Sequence, residues 1–216
     1  AALPMSTFHA TKERLGIELS EGYGLTETGG IVSSSSGFPI RPGSVGKPLA
    51  GVEMRIVDDD VDVPVGDRGE IWVRGDNVTG GYWDDLEATG RSVTADGWFR
   101  TGDIGVVDDD GYLYLVDRSK DMIIVSGFNV FPAEVEEVLM QHSDVAGVIV
   151  VGRPDQRTGE RVVAHVKLIE GSSTTPDQLT EHCLDNLARY KSPTAIELDD
   201  DLPISLTGKR VRRLLK

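Results

Sequence analysis

Apolar positions along this chain change their rhythm near the middle. Up to residue 116 they come in short runs cut by Asp/Gly turns, at Val52–Val57, Glu70–Arg74, Gly105–Val107 and Tyr112–Val116. Runs of that length and spacing predict a small β-barrel or sandwich. Ahead of them, Ser6–Leu15 places Phe8 and Leu15 at helix-compatible spacing, with Ser6 or Thr7 to cap and Gly16 to close. The stretch from Ile31 to Ile40 is serine-rich and predicts a loop. After residue 130 the periods lengthen. Pro132 at a first helical position introduces a helix whose Val135, Val138 and Leu139 share a face. Strands at Val145–Val151 and Arg161–Ile169, a helix around Leu179–Leu187 and a strand at Ala195–Leu198 follow. The class is α+β, in two parts, residues 1–117 and 118–216, the second being of a size that folds alone. Between the parts lies Asp117-Arg118-Ser119-Lys120-Asp121. Buried unpaired charge is costly, so so charged a seam is either an exposed linker or a site.

Composition narrows the functions. With 36 acidic against 22 basic residues the formal charge is -14, which opposes nonspecific binding to nucleic acid. An anionic ligand would have to be held by local geometry against that field. The one cysteine, Cys183, has no internal partner for a disulfide and sits among apolar residues of a predicted helix, which favours a buried, inert thiol. No signal peptide and no membrane-length apolar run is present, so a reducing cytoplasm is the expected location. The chain opens on Ala1-Ala2-Leu3-Pro4 and reads as a piece of a longer one.

Three stretches carry candidate chemistry. In Leu19–Thr28, Gly22 and Gly24 flank Tyr23 and the run Thr26-Glu27-Thr28 follows. That places an aromatic face, small donors and a hard oxygen together, a combination suited to a base, a phosphate and a magnesium ion. A Gly-rich turn capped by threonine fits the same residue types. In Gly97–Asp103, GWFRTGD, an acid directly follows a glycine; Asp103 either accepts both hydroxyls of a ribose or caps the turn. In the tail, PISLTGKR places Lys209 after a glycine and opens a basic segment ending at Arg212-Arg213, which also fits a solvated helix end. The aspartate runs at 58–60 and 108–110 lack the spacing of an EF-hand and read as hairpin turns.

Taken together and in order, EGYGLTET (Glu21–Thr28), GWFRTGD (Gly97–Asp103), DRSKDMIIVSGFNVFPAEVE (Asp117–Glu136) and PISLTGKR (Pro203–Arg210) resemble core motifs of the adenylate-forming enzymes, the superfamily of acyl-CoA synthetases, luciferases and peptide-synthetase adenylation domains. The resemblance covers essentially the whole chain, and VSGFNVFPAEVE is most similar to medium- and long-chain fatty acyl-CoA synthetases. It implies that residues 1–117 are the end of a large adenylation domain, including a β-barrel subdomain, and that 118–216 are a small mobile C-terminal domain. It implies a two-step reaction in which a carboxylic acid and ATP give an acyl-adenylate, and a thiol, usually coenzyme A, then displaces AMP. By the same resemblance Tyr23 stacks on adenine within the Gly22–Gly24 turn, Thr26 contacts the α-phosphate, and Glu27 binds Mg2+. Asp103 and Arg118 hold ribose, and Lys209 is the catalytic lysine. Lys120 is the hinge, and Ser126, Gly127 and Phe128 line the coenzyme A channel.

One departure matters. The phosphate loop that the family uses for the β- and γ-phosphates lies upstream of EGYGLTET in the family and is absent here, as is most of the acyl pocket; Ser33–Gly37 lacks the Thr-Gly and lysine of such a loop. The expectation is a C-terminal part, inactive alone, that exposes apolar surface around Ala1–Leu25 and self-associates through it. Two alternatives stay open: a ligase that loads a carrier-protein thiol, and a noncatalytic interaction module.

Overall fold

A computed structural model of the chain describes residue 3, residues 5–205 and residues 211–215. The chain divides into two compact units, Ala1–Ser119 and Lys120–Lys216.

In the first unit, α1 (Met5–Leu15) precedes a three-stranded antiparallel sheet of very short strands, β1 (Gly22–Tyr23), β2 (Ser33–Ser34) and β3 (Lys47–Pro48). The serine-rich stretch expected as a loop therefore contributes a strand. Its hydroxyls are used internally: Ser33 is fully buried and donates to the Val45 carbonyl at 3.0 Å. A second sheet follows, built from β4 (Glu53–Asp58), β5 (Val61–Asp62), β6 (Gly69–Arg74), β7 (Phe99–Val107) and β8 (Leu113–Arg118), with α2 (Leu86–Ser92) between β6 and β7. Its order is β5-β4-β6-β7-β8, antiparallel throughout. β5 pairs with β4 and β8 with β7, and among the described residues the sheet does not close, so the expected barrel is corrected to an open sheet.

Strand alternation explains why both faces of this sheet are covered. One face sends Ile56, Ile71, Val73, Phe99 and Leu113 into a core shared with Tyr23, Val32 and Val45. The other carries Trp72, Trp98 and Val57. On that second face the guanidinium groups of Arg100, Arg55 and Arg74 lie over the indoles, Arg100 at 4.8 Å from Trp72 and Arg55 and Arg74 at 5.1 and 4.5 Å from Trp98. Arginine stems over aromatic rings thus exclude water while the charged heads stay at the surface.

The second unit is a five-stranded sheet of β9 (Ile123–Val125), β10 (Phe128–Val130), β11 (Val145–Asp155), β12 (Gly159–Leu168) and β13 (Ala195–Leu198), ordered β10-β9-β12-β11 with β13 parallel to β12. Two helices, α3 (Pro132–Met140) and α4 (Pro176–Asn186), pack Val135, Val138, Leu139, Leu179 and Cys183 onto Val148, Val150, Val162, Ala164 and Val166 of the long β11–β12 hairpin. α4 begins earlier than its apolar pattern suggests. Thr175 caps it in a reciprocal box with Gln178, and Pro176 takes the first turn.

One polar group is sunk in this core. Glu136 on α3 is 2 % exposed, accepts from the Val150 amide at 2.9 Å, and faces the Arg212 guanidinium through both oxygens at 2.9 and 3.0 Å. Arg212 also reaches Asp121 at 3.4 Å. The alternative of a solvated helix end does not hold at this residue: Arg212 is a partner that a buried glutamate on α3 requires.

Two outcomes follow from this packing. Arg212→Ala leaves Glu136 buried and loses its bidentate partner, so urea unfolding should show a loss of about 3 kcal/mol, the scale for breaking one side of a buried pair; a loss indistinguishable from zero contradicts the anchoring role. Cys183 is fully buried, and burial pushes its thiol up to about 11. Its alkylation by iodoacetamide at pH 8 should therefore follow global unfolding and not precede it, as an alkylation time course at rising urea will show.

Candidate nucleotide site

The Gly-flanked tyrosine sits where β1 ends and the chain folds back on itself. Tyr23 opposes Ser33 across β1 and β2, and the chain then turns so tightly that a Cβ on Gly24 would lie 2.1 Å from the Gly30 carbonyl oxygen. No other residue fits there without moving the backbone. A 3-10 turn over Thr26–Thr28 follows. Its three polar residues part company. Thr28 is fully buried and spends its hydroxyl on Leu25, accepting from the amide and donating to the carbonyl, both at 2.9 Å. Thr26 remains exposed. Glu27 is half-buried, and its Oε1 accepts from the Tyr82 hydroxyl at 3.0 Å, while its carbonyl accepts from the Thr79 amide at 2.7 Å. Asn77 closes the same loop by donating to the carbonyls of Thr28 and Ile31. The segment Asn77–Tyr82 thus buttresses the turn. Sequence reasoning missed it, although Gly80-Gly81-Tyr82 repeats the glycine-aromatic pattern that singled out Tyr23.

Tyr23, Asp103 and Arg118, chosen from two separate motifs and the charged seam, come together. The Tyr23 ring is 7 % exposed, and its hydroxyl donates to Asp103 Oδ2 at 2.7 Å. Asp103 and Arg118 are directly opposed on β7 and β8, with Arg118 Nε 3.3 Å from Asp103 Oδ1. The Asp103 side chain is 13 % exposed and that of Arg118 53 %. Burial first, and then the negative charge of Asp103, push the Tyr23 phenol well above its ordinary value, so it acts as a donor throughout the physiological range. An ionised carboxylate offers about four acceptor positions. Two are engaged, which leaves room for a diol, and the exposed guanidinium stands beside it.

A metal at this site would depend on Glu27. Among the described residues no group of three or more acidic, histidine or cysteine side chains is placed to hold an ion. One carboxylate is nonetheless what Mg2+ takes from a protein when phosphate oxygens and water complete its octahedron, so the donor present fits that metal and no all-protein cage.

In the second unit, Lys120 lies in the exposed 3-10 turn Ser119–Asp121. Ser126 and Gly127 form the two-residue turn between β9 and β10 with φ of +51° and +84°. Glycine relieves that geometry at the second position; Ser126 bears it and donates its amide to the Thr158 carbonyl at 2.8 Å. Phe128 is 57 % exposed, its ring centroid 4.9 Å from that of Tyr190. Lys209 lies outside the described residues. No helix among the described residues is long and apolar enough to cross a membrane.

Comparison with known proteins gives this geometry a context. Residues 1–83 match the family model of AMP-binding enzymes, and residues 134–209 match the model of the AMP-binding enzyme C-terminal domain. A long-chain-fatty-acid–CoA ligase of Yersinia pestis is 45 % identical over 204 residues, which is 93 % of this chain and 36 % of the relative. The ATP-bound structure of MatB from Rhodopseudomonas palustris superposes with a TM-score of 0.95 at 35 % identity, covering 100 % of this chain and 43 % of that one. The o-succinylbenzoate CoA synthetase of Bacillus subtilis in complex with its acyl-adenylate intermediate gives 0.88 at 34 % identity, covering 100 % and 44 %. The chain therefore spans well under half the length of these relatives. With both family models matched in order along it, the chain belongs to the AMP-binding enzymes.

Proposed function

We propose that this chain is the C-terminal part of an ATP-dependent carboxylic acid:CoA ligase, with a fatty acid as the acid. The observation that carries the reading is the Asp103 carboxylate held between the Tyr23 hydroxyl and the Arg118 guanidinium, with acceptor positions to spare. The similarity to a long-chain-fatty-acid–CoA ligase supports the choice of acid.

In the first half-reaction a carboxylate oxygen of the acid attacks the α-phosphorus of ATP, and pyrophosphate leaves. Asp103 accepts from the ribose hydroxyls, and Arg118 flanks the same sugar. The Tyr23 ring stacks on adenine, while the exposed Thr26 hydroxyl is presented to the α-phosphate. Glu27 would hold Mg2+, which, when bound, neutralises charge on the phosphates. Lys209 bridges the acid and the α-phosphate as negative charge builds up, a role in which a fixed cation lowers the barrier most where water is excluded. In the second half-reaction the coenzyme A sulfur attacks the acyl carbon, its proton passes to solvent, and AMP leaves. The Ser126–Gly127 turn lets a thin thiol arm run close to backbone beside Phe128. Lys120 lies where a hinge between residues 1–117 and 118–216 would absorb a change in φ and ψ between the two steps. A carrier-protein thiol in place of coenzyme A is the second reading, since the same exposed turn would admit a phosphopantetheine arm from either source.

The test uses a full-length protein that carries this segment. Exchange of labelled pyrophosphate into ATP should depend on a long-chain fatty acid, and Lys209→Ala should lower it by about a hundredfold or more while thioester formation from preformed acyl-adenylate survives. Unchanged exchange in the variant contradicts the assignment. AMP release that rises with coenzyme A supports the first acceptor; release that rises only with a phosphopantetheinyl carrier supports the second. The 216-residue chain alone should catalyse no exchange.

A further inference from the structure

Strands β6 and β7 do not pair continuously. Glu70 opposes Ile104 and Trp72 opposes Arg100, so on β6 a single residue, Ile71, faces Thr101, Gly102 and Asp103 of β7. Three residues opposite one leave ladder groups without partners, and backbone donors and acceptors near a core must find others. Two side chains supply them. The Thr101 hydroxyl donates to the Ile71 carbonyl at 2.7 Å and accepts from the Asp103 amide at 3.1 Å. The Glu70 Oε1 accepts from the Gly102 amide at 2.8 Å.

Glu70 is itself held. Its other oxygen, Oε2, accepts from the indole N–H of Trp72 at 3.0 Å, and Trp72 is 5 % exposed, wedged between β-strand neighbours and arginine stems. One carboxylate therefore spans a fixed indole and the Thr101–Gly102 peptide, one residue ahead of Asp103. The geometry demands two acceptors at one position. Glutamate provides both, whereas a glutamine would meet one of the two N–H groups with an N–H of its own.

We propose that Glu70 is a positioning residue for Asp103: by pinning the bulged Gly102 peptide to the Trp72 indole, it sets the direction in which the Asp103 carboxylate meets the nucleotide ribose. A bulge re-aims the side chains that follow it, and here the re-aimed side chain is the one that Tyr23 and Arg118 converge on. Hydrogen bonds lose strength steeply with misalignment, so a small rotation of this peptide is felt at the ribose. The inference rests on Asp103 being the ribose acceptor, and the experiment separates the two.

In the full-length protein, kcat/KM is measured with ATP and with 2′,3′-dideoxy-ATP, which lacks the hydroxyls that Asp103 would accept. The wild type should prefer ATP by about tenfold or more, the scale of hydrogen bonds to a charged group. Glu70→Ala should lose most of that preference through a fall with ATP, with dideoxy-ATP changing by no more than about twofold. Glu70→Gln should fall between the two. A purely structural role for Glu70 would depress both substrates alike and leave the ratio untouched, and that result overturns the inference. Should Glu70→Ala fail to fold, Glu70→Gln decides by the same ratio, since a wild-type preference there is equally fatal. If the wild type and Asp103→Ala share one ratio, the ribose assignment falls instead, and Glu70 with it.

Discussion

A single carboxylate, held from several directions, organises the first unit. The Asp103 carboxylate is reached by a hydroxyl from β1 and a guanidinium from β8, and the residue before it, Gly102, has its amide held from β6. The hydroxyl comes from the other sheet of the unit, and the two sheets meet through one core in which Tyr23, Val32 and Val45 pack against Ile56, Ile71, Val73, Phe99 and Leu113. Side chains from both sheets therefore share an apolar face whose polar rim is the Tyr23–Asp103–Arg118 set. Preorganisation of this sort is what a binding group needs, because a carboxylate free to rotate would lose in ordering much of what it gains in contact.

The second unit is arranged around a different buried charge. Glu136 in the core of α3 is matched by Arg212 from the end of the chain, with Asp121 at the unit's beginning as a further partner. The first and last turns of the unit are thereby tied to one helix. Apolar packing of α3 and α4 on the β11–β12 hairpin supplies the bulk of its stabilisation, since that interface is almost wholly Val, Leu and Ile.

Much of this was legible in the sequence, and the rest was hidden for definable reasons. Strand and helix periods placed most elements of the second unit, and motif order brought out Tyr23, Asp103 and Arg118, which the fold does bring together. The barrel was overread because short strands cut by Asp/Gly turns look alike whether the sheet closes or stays open; only the pairing of β5 and β8 decides. Burial of Ser33 was invisible because a serine run carries no apolar period, and its hydroxyl is satisfied by a carbonyl twelve residues away. Glu136 and Arg212 stand 76 residues apart. Neither could be assigned to the other by spacing, so Arg212 read as part of a basic segment that also fitted a solvated helix end. Tyr82 and Glu70 were missed for the same cause, acting through partners, Glu27 and Gly102, that lie 55 and 32 residues away.

The central claim is that Asp103 is the point on which a nucleotide is held. Its most direct test is a crystal structure of the full-length protein with AMP bound. The account predicts the ribose hydroxyls within hydrogen-bonding distance of the Asp103 carboxylate, beside Arg118, with the Tyr23 hydroxyl still donating to Oδ2. Ribose bound elsewhere, with Asp103 engaged only by Tyr23 and Arg118, would contradict it.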